Sequence, residues 1–514
     1  MSTKAVSKGI VSVGGWSVAK LATSAVVLPI LARFLGIEGY GQYAYYLALL
    51  LLASQFANLG MMQTMTKRIA ERPDDPFWCR HIARAGAFIN GAGVLFVGAV
   101  TGVVIWSTAA SGTVALPMAL AVVGVLLFDQ MWFYARGVLH GLRHEERAAI
   151  PGMIGVVAAG VLGVIAAVNG TGVVGVFTGL LVTDVCVALA CLRAVALALG
   201  ESNGRQPVGF APLPTQELLR FGVSAMIFSV LNMTLCSLDI ILVRHLAGEA
   251  QAGLYAAAVQ WSQFVWFIPI AVEGVMLQAT ARFWAEGRVG EVSTLVSRLL
   301  RYVMLGTAFL LLLVFVLGDR IITLYFGPQF AEAAVVLRVL VPGAFCYALA
   351  RVLWPVIQAG GSGASLIRVM MAAAAVDIGV CGVLIPIWGA SGAAFATSLS
   401  FALVAGGYAW VLRRRQVQIF HGFAAGRFMG LLLGTATAMA GAAALVSTPV
   451  LSLLVGGVVG SLLYWGGVFC LGLLQVEEVE LMVQSLPSMF RHAGEKLFRV
   501  VGPVLLRLKT VTQN

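Results

Sequence analysis

The sequence predicts an all-α polytopic membrane protein of about fourteen transmembrane helices. Three observations carry this. Of the 514 residues, 60% are hydrophobic and only 11% charged, about half the charge of a soluble domain. Mean hydropathy is +0.94. Apolar runs of roughly twenty residues recur over the whole length, each enough for the ~30 Å of hydrocarbon in a bilayer. A large soluble helical core would need charged outer faces on its helices, and these are absent.

The runs fall at 11–34, 41–61, 84–106, 117–139, 149–168, 172–192, 221–243, 253–277, 300–318, 334–357, 365–387, 390–411, 426–446 and 449–473. The connections between them support that division. Lysines and arginines gather before the first run, in KRIAERPDDPFWCRHIAR after the second, in LRHEER after the fourth, around Arg193 to Arg220, around Arg282 to Arg301, in LRRRQ and in the tail. The alternate connections, STAASGT, NGTG and VSTPV, carry almost no charge. With both ends cytoplasmic this is the positive-inside pattern. The net charge of +11 therefore records topology and contact with anionic lipid, and no nucleic acid partner is expected. MSTKAVSKG leads into a helix without a small-x-small cleavage site, so no cleavable signal peptide is expected. The seven cysteines show no Cys-x-x-Cys spacing and read as small hydrophobes.

A repeat organises the chain. LARFLGIEGYGQYAYY (31–46) returns as LVRHLAGEAQAGLYAAA (242–258). GVLHGLRHEER (137–147) returns loosely as PVIQAGGSGAS (355–365). NGTGVVGVFTG (169–179) returns as WGASGAAFATS (388–398). Six spans separate the copies, so both have one orientation and the halves are parallel repeats. The expected division is a six-helix lobe at 1–205, a second at 206–415, two added helices at 416–474 and an amphipathic cytoplasmic tail at 475–514. In the first hinge, Gly39 and Gly41 are expected to provide the turn and close packing.

LARFLGIEGYGQYAYYLALLLLASQFANLGM with its basic loop, LAGEAQAGLYAAAVQWSQFVWFIPIAVEGVMLQATARFWAEGR (246–288), LYFGPQFAEAAVVLRVLVPG (324–343) and IPIWGASGAAFATSLS (385–400) occur in an order and spacing that resemble the oligosaccharide flippases of bacterial polysaccharide biosynthesis. That family lies within the superfamily that includes multidrug and toxin exporters. The resemblance implies a V-shaped pair of lobes with alternating access. It implies a polyprenyl-diphosphate-linked glycan moved from the cytoplasmic to the outer leaflet of the bacterial inner membrane, for cell-surface or exopolysaccharide synthesis. It implies a transporter and not an enzyme, with polysaccharide polymerase machinery as a candidate partner; two lobes already provide the pathway, so a monomer is expected. No cofactor is implied, and coupling to a proton or sodium stays open.

A diphosphate head group needs water and positive charge in the membrane, so ionisable residues inside spans are the candidates. Each costs roughly 2.5–3.5 kcal/mol at mid-membrane unless it faces protein or water. Lys20 lies ten residues into the first span. Arg33 and Arg244 end the hinge-preceding helices of the two repeats, where snorkelling competes with a cavity role. Asp129 and Arg136 share a face of the fourth span, two turns apart. Glu273 lies in the second half of the eighth span, where it is costly unless protonated or paired; it is a candidate to partner Lys20 or another basic residue, or to couple transport to a proton or cation. Arg282 is expected at the cytoplasmic mouth, and Arg351 in the tenth span. Asp184, Asp239 and Asp377 are further buried acids, and the six histidines form no metal pattern. Pro29 is a candidate bend. Two other functions stay open: an ion-coupled multidrug or small-molecule exporter, which calls for an acid-rich cavity, and a flippase of a lipid-linked peptidoglycan precursor. A glycan polymerase or ligase calls for a large outer loop, which the sequence lacks.

Overall fold

The structure is a computed structural model and describes residues 3–108, 112–200, 215–420 and 423–474. The expected amphipathic tail at 475–514 lies outside these residues, as does Arg205. In chain order the helices are α1 (Thr3–Asn58), α2 (Met61–Glu71), α3 (Pro76–Thr108), α4 (Gly112–Gly141), α5 (Glu146–Val168), α6 (Gly172–Gly200) and α7 (Thr215–Met233). They continue as α8 (Asp239–Ala247), α9 (Glu249–Phe264), α10 (Phe267–Ala285), α11 (Val289–Tyr325) and α12 (Ala333–Ala359). The last are α13 (Gly363–Trp388), α14 (Ala390–Arg414), α15 (Ala425–Ala444) and α16 (Pro449–Cys470). No strand occurs among the described residues.

Among the described residues twelve spans are long and apolar enough to cross a membrane, and α9 with α10, bent by 48° at their break, makes a thirteenth if the bent pair is one span. One of the twelve, Ala19–Asn58, has 40 residues, about 60 Å at 1.5 Å per residue. It is broken at Gly36 (φ 72°, ψ −177°). The fourteen runs read from the sequence exceed this count because two of them, 11–34 and 41–61, fall on the two limbs of this one helix. The turn residue is Gly36, not Gly39 or Gly41 as expected from sequence. That φ and ψ are essentially reserved for glycine, whereas Gly39 and Gly41 are helical. Pro29 lies inside α1 without a break there.

Contacts gather the chain into two units, Met1–Ala257 with Met370–Thr397, and Ala258–Val369 with Ser398–Asn514. In the first, Met61, Met65 and Ile69 of α2 are buried against Ile82, Ala135 and Leu139. A second cluster joins Tyr45, Ala57, Val122, Leu126 and Phe177. In the second unit, Tyr464 of α16 is fully buried beside Leu305 and Val468, and its hydroxyl donates to the Leu305 carbonyl at 2.7 Å. Outward faces are apolar too, with Leu95, Phe96 and Val103 of α3 all more than two-thirds exposed, as lipid-facing helices require.

The repeat is visible in the backbone. Gly248, which precedes α9, has φ 91° and ψ 176°, the conformation of Gly36 at the equivalent position 212 residues earlier. The α4–α5 and α12–α13 turns also match, 218 residues apart. His144 N–H donates to Leu139 O, and Ser362 N–H to Ile357 O, each as the six-residue bond of a Schellman turn. The left-handed position is Gly361 (φ 74°) in one turn and Arg143 (φ 63°) in the other. A left-handed non-glycine residue costs about 1 kcal/mol. Arg143→Gly is therefore expected to raise thermal stability slightly, by about 1 kcal/mol, measured as the unfolding midpoint in detergent.

Within the first unit the two hinge copies pack on each other reciprocally. A Cβ on Gly41 would lie 2.0 Å from the Glu249 carbonyl oxygen, and a Cβ on Gly253 would lie 2.3 Å from the Ile37 carbonyl oxygen. Positions 41 and 253 are repeat mates, as are 37 and 249. Each copy therefore offers the same glycine and the same carbonyl to the other, the self-complementary contact of a two-fold pair.

Candidate functional site

Four polar loci among the described residues lie in the spans. The first is built on α1, α4 and α6. Asp129, attracting, and Arg136, repelling, are charges that bear on Lys20. Asp129 accepts from Ser54 Oγ at 3.3 Å, and Asp184 of α6 bears on it as a like charge. Arg136 lies over the Trp132 ring at 5.3 Å and donates to His140 Nε2 at 3.4 Å. Beneath this group the core is polar. Gln130 is fully buried and donates to Ser54 Oγ at 2.6 Å, while Asn58 and Asn90 donate to Gln130. The Asp129 and Arg136 expected on one helix face are thus the two charges that bear on Lys20. Arg33 is exposed one turn before the Gly36 break and has partners of its own.

The second locus is the hinge. Arg244 has a side chain only 10% exposed, pairs with Glu249 at 3.0 Å and lies over Tyr45 at 4.0 Å. Gln42 donates to the other oxygen of Glu249 at 2.5 Å. Arg244 therefore holds the hinge together from inside and does not reach outward along the surface.

The third is in the second unit. Glu273 of α10 pairs with Arg351 of α12 at 2.8 Å, the paired one of the two states its position allows. Arg282, two turns beyond, has a side chain 76% exposed and pairs with Glu286 at 3.0 Å. Glu286 also accepts from Arg288 at 2.7 Å, and the hydrogen bonds from Arg288 and then Arg282 hold its carboxyl below the usual range.

Sequence reasoning singled out Asp239 and Asp377 as buried acids but did not join them. The fold does. Asp239 Oδ2 accepts from Tyr255 Oη at 2.9 Å and from Thr397 Oγ1 at 2.6 Å, and its Oδ1 accepts from Cys381 Sγ at 3.7 Å. Asp377 hydrogen-bonds to the same carboxyl group. The ligand atoms of Asp239, Asp377 and Cys381 lie within 4.8 Å of one another, the one group among the described residues able to hold an ion. A π-helical turn at Thr234–Leu238 immediately precedes Asp239. Such turns accompany functional sites because they re-aim the residue that follows. Nothing in the spacing of residues 239, 255, 377, 381 and 397 announces their convergence.

Comparison with known proteins agrees with this architecture. The fold is that of the MOP-superfamily transporters. A lipid II flippase MurJ in an inward closed conformation matches with a TM-score of 0.64 and 13% identity, over 88% of this chain and 97% of that one. An inward-facing multidrug resistance MATE family transporter matches with 0.60 and 14%, over 77% and 94%. A MOP superfamily transporter from Pyrococcus furiosus, described as having a binding pocket of reversed polarity, matches with 0.57 and 14%, over 79% and 95%. No curated protein sequence matches. The family model for polysaccharide biosynthesis protein matches residues 7–271, just over half of the chain, and the chain belongs to that family.

Proposed function

We propose that the protein is a flippase that carries a polyprenyl-diphosphate-linked oligosaccharide from the cytoplasmic to the outer leaflet of a bacterial inner membrane, by alternating access of two lobes. The observation that supports this is that the charges of Asp129 and Arg136 bear on Lys20 within membrane-spanning helices, in a chain of the polysaccharide biosynthesis family. An ammonium at that depth attracts phosphate, and Asp129 limits its cost in the absence of cargo. Arg282, exposed at the end of α10, serves as an entry contact. Asp239 and Asp377 hold the coupling ion, sodium or a proton, because two buried carboxyl groups so close need one or the other between them.

The test is leaflet translocation of a labelled polyprenyl-diphosphate oligosaccharide by purified protein in liposomes. Lys20→Ala is expected to lower the rate by about tenfold or more, the worth of one charge-assisted hydrogen bond, with insertion and folding unchanged. Equal transport by both proteins removes Lys20 from the path. A well-folded wild type that moves no glycan overturns the proposal. A lipid-linked peptidoglycan precursor is run in parallel because of the structural likeness to MurJ, and transport of that cargo alone would reassign the substrate.

A further inference from the structure

We infer that Glu273 is a built-in substitute anion, which occupies the Arg351 site until a phosphate group of the cargo displaces it. The inference rests on the flippase reading for its cargo but not for its chemistry.

The site is formed where α10 and α12 run side by side in the same direction. Three contacts, in the same order along both helices, fix the pair. Trp266 Nε1 donates to Ala344 O at 3.2 Å, Glu273 accepts from Arg351 at 2.8 Å, and Trp284 Nε1 donates to Val356 O at 3.1 Å. The outer two are indole-to-carbonyl bonds that lock helix to helix. The middle one is ionic and lies eight residues from the end of α12, about 12 Å along its axis. A purely structural bond at that position needs no charge, as its two neighbours show, and a buried ion pair is seldom more stabilising than well-packed apolar residues.

The geometry is that of a receptor for an anion, incompletely used. Arg351 and Trp354 stand one turn apart on one face of α12, and both donate to the Glu273 carboxylate. Arg351 uses a single terminal nitrogen, and its Nε is buried without a hydrogen-bond partner among the described residues. A guanidinium fork reaches full strength when two nitrogens engage one planar or tetrahedral oxyanion. Glu273 approaches from a different helix and satisfies only part of the fork. A phosphate group supplies more acceptor oxygens and more charge than a carboxylate, and can engage both nitrogens and the Trp354 indole together. The pair is also reachable: 21% of the Arg351 side chain and 20% of the Glu273 side chain remain exposed. Tyr347, one turn before Arg351, is buried against Trp266 and Phe401, so the floor of the site is rigid while its ionic centre is open.

Exchange of one anion for another solves a problem particular to a membrane interior. An uncompensated guanidinium there would be costly when cargo is absent, and a permanently bound one would not release cargo. Glu273 covers the charge after each release and competes with the phosphate that remains.

The measurement is binding of geranylgeranyl diphosphate and of inorganic diphosphate to purified protein in detergent, for wild type, Glu273→Gln, Arg351→Gln and the double variant. Glu273→Gln is expected to bind both diphosphates about tenfold more tightly, because the competitor is gone and the fork is kept. Arg351→Gln and the double variant are expected to lose that binding. Glu273→Gln leaves a buried cation uncompensated, so its thermal midpoint is followed as well. Diphosphate is expected to raise that midpoint more than it raises the wild type's, since the ligand replaces the missing anion. Equal or weaker binding by Glu273→Gln, an equal rise in midpoint, or no binding by any of the proteins overturns the exchange. Liposome transport by the wild type reports separately on the flippase reading. Glycan transport with unchanged Glu273→Gln binding leaves the flippase and removes the exchange. Tightened binding without glycan transport keeps the exchange and removes the glycan as cargo.

Discussion

Gly41→Leu is expected to leave no folded, monodisperse protein in detergent, and Gly253→Leu to do the same, whereas Gly91→Ala in α3 leaves the elution profile unchanged. The difference lies in what a side chain would meet. At Gly41 the first atom is a backbone oxygen of Glu249 at 2.0 Å, followed by the Gly253 nitrogen at 2.9 Å, while at Gly91 nothing lies within 4 Å. A flexible side chain can move aside, but a helix backbone cannot. Relief requires the two hinges to part, and that separation would pull Arg244 from Tyr45 and Gln42 from Glu249. Overpacking a core costs about 1–3 kcal/mol where neighbours can adjust. Stranding a buried charge adds roughly 3–5 kcal/mol. Together these approach a typical whole stability of about 5–15 kcal/mol. Alanine at either position is expected to give an intermediate loss of yield, read by fluorescence-detected size exclusion. Because the contact is reciprocal, the Gly41 and Gly253 single variants should be equally damaging. A tolerant Gly253 beside an intolerant Gly41 would show that the repeat symmetry does not extend to the energetics.

This contact also shows what a sequence of this kind reveals and what it withholds. Gly36, Gly41 and Tyr43 recur at Gly248, Gly253 and Tyr255 with one constant offset, so the existence of two equivalent hinges was legible from local text. Which glycine turns the chain was not. Turning and close approach demand the same residue, and only the backbone angles separate Gly36 from Gly41. Membrane spans were legible because hydrocarbon imposes length and apolarity on each one independently. Charged residues inside spans were legible for the same reason, as departures from that rule, and Lys20, Asp129, Arg136, Glu273 and Arg351 were all found this way. Pairing was less accessible. Asp129 and Arg136 share one helix face, which a 3.6-residue period reveals. Glu273 and Arg351 sit on different helices, as do Asp239 and Asp377, and no local pattern records which helices become neighbours. The π-turn before Asp239 has no sequence signature in TLCSL. Cys381 and Thr397 looked like ordinary small residues of apolar helices until the fold brought them to one carboxylate.

Asp239→Asn is expected to abolish sodium-dependent stabilisation and to lower transport by about 100-fold, or about 2.7 kcal/mol at 1.36 kcal/mol per decade. Asp239 is 1% exposed and Asp377 0% exposed, so water does not screen them. The hydrogen-bonding partners of Asp239 are Tyr255, Thr397, Cys381 and Asp377, none of them cationic. A cation between the two carboxylates would offset their repulsion when both are ionised, and the oxygen atoms of two carboxyl groups, a hydroxyl and a phenol suit a hard monovalent ion. Occupancy of such a site stabilises the folded protein by about 2.7 kcal/mol when the ion is present at 100 times its dissociation constant. Asparagine keeps the shape and most hydrogen bonds but removes one negative charge. The variant should still fold while its affinity for the ion collapses. Thermal unfolding of both proteins in sodium and in N-methylglucamine salts, at matched ionic strength, separates the alternatives. A midpoint that rises with sodium in the wild type alone establishes the ion. A midpoint indifferent to sodium in both, with transport still lost in the variant, assigns the pair to a proton. Indifference to sodium with transport retained makes the cluster a structural polar core, and the coupling must then lie elsewhere, with the Lys20–Asp129 pair as the next place to measure.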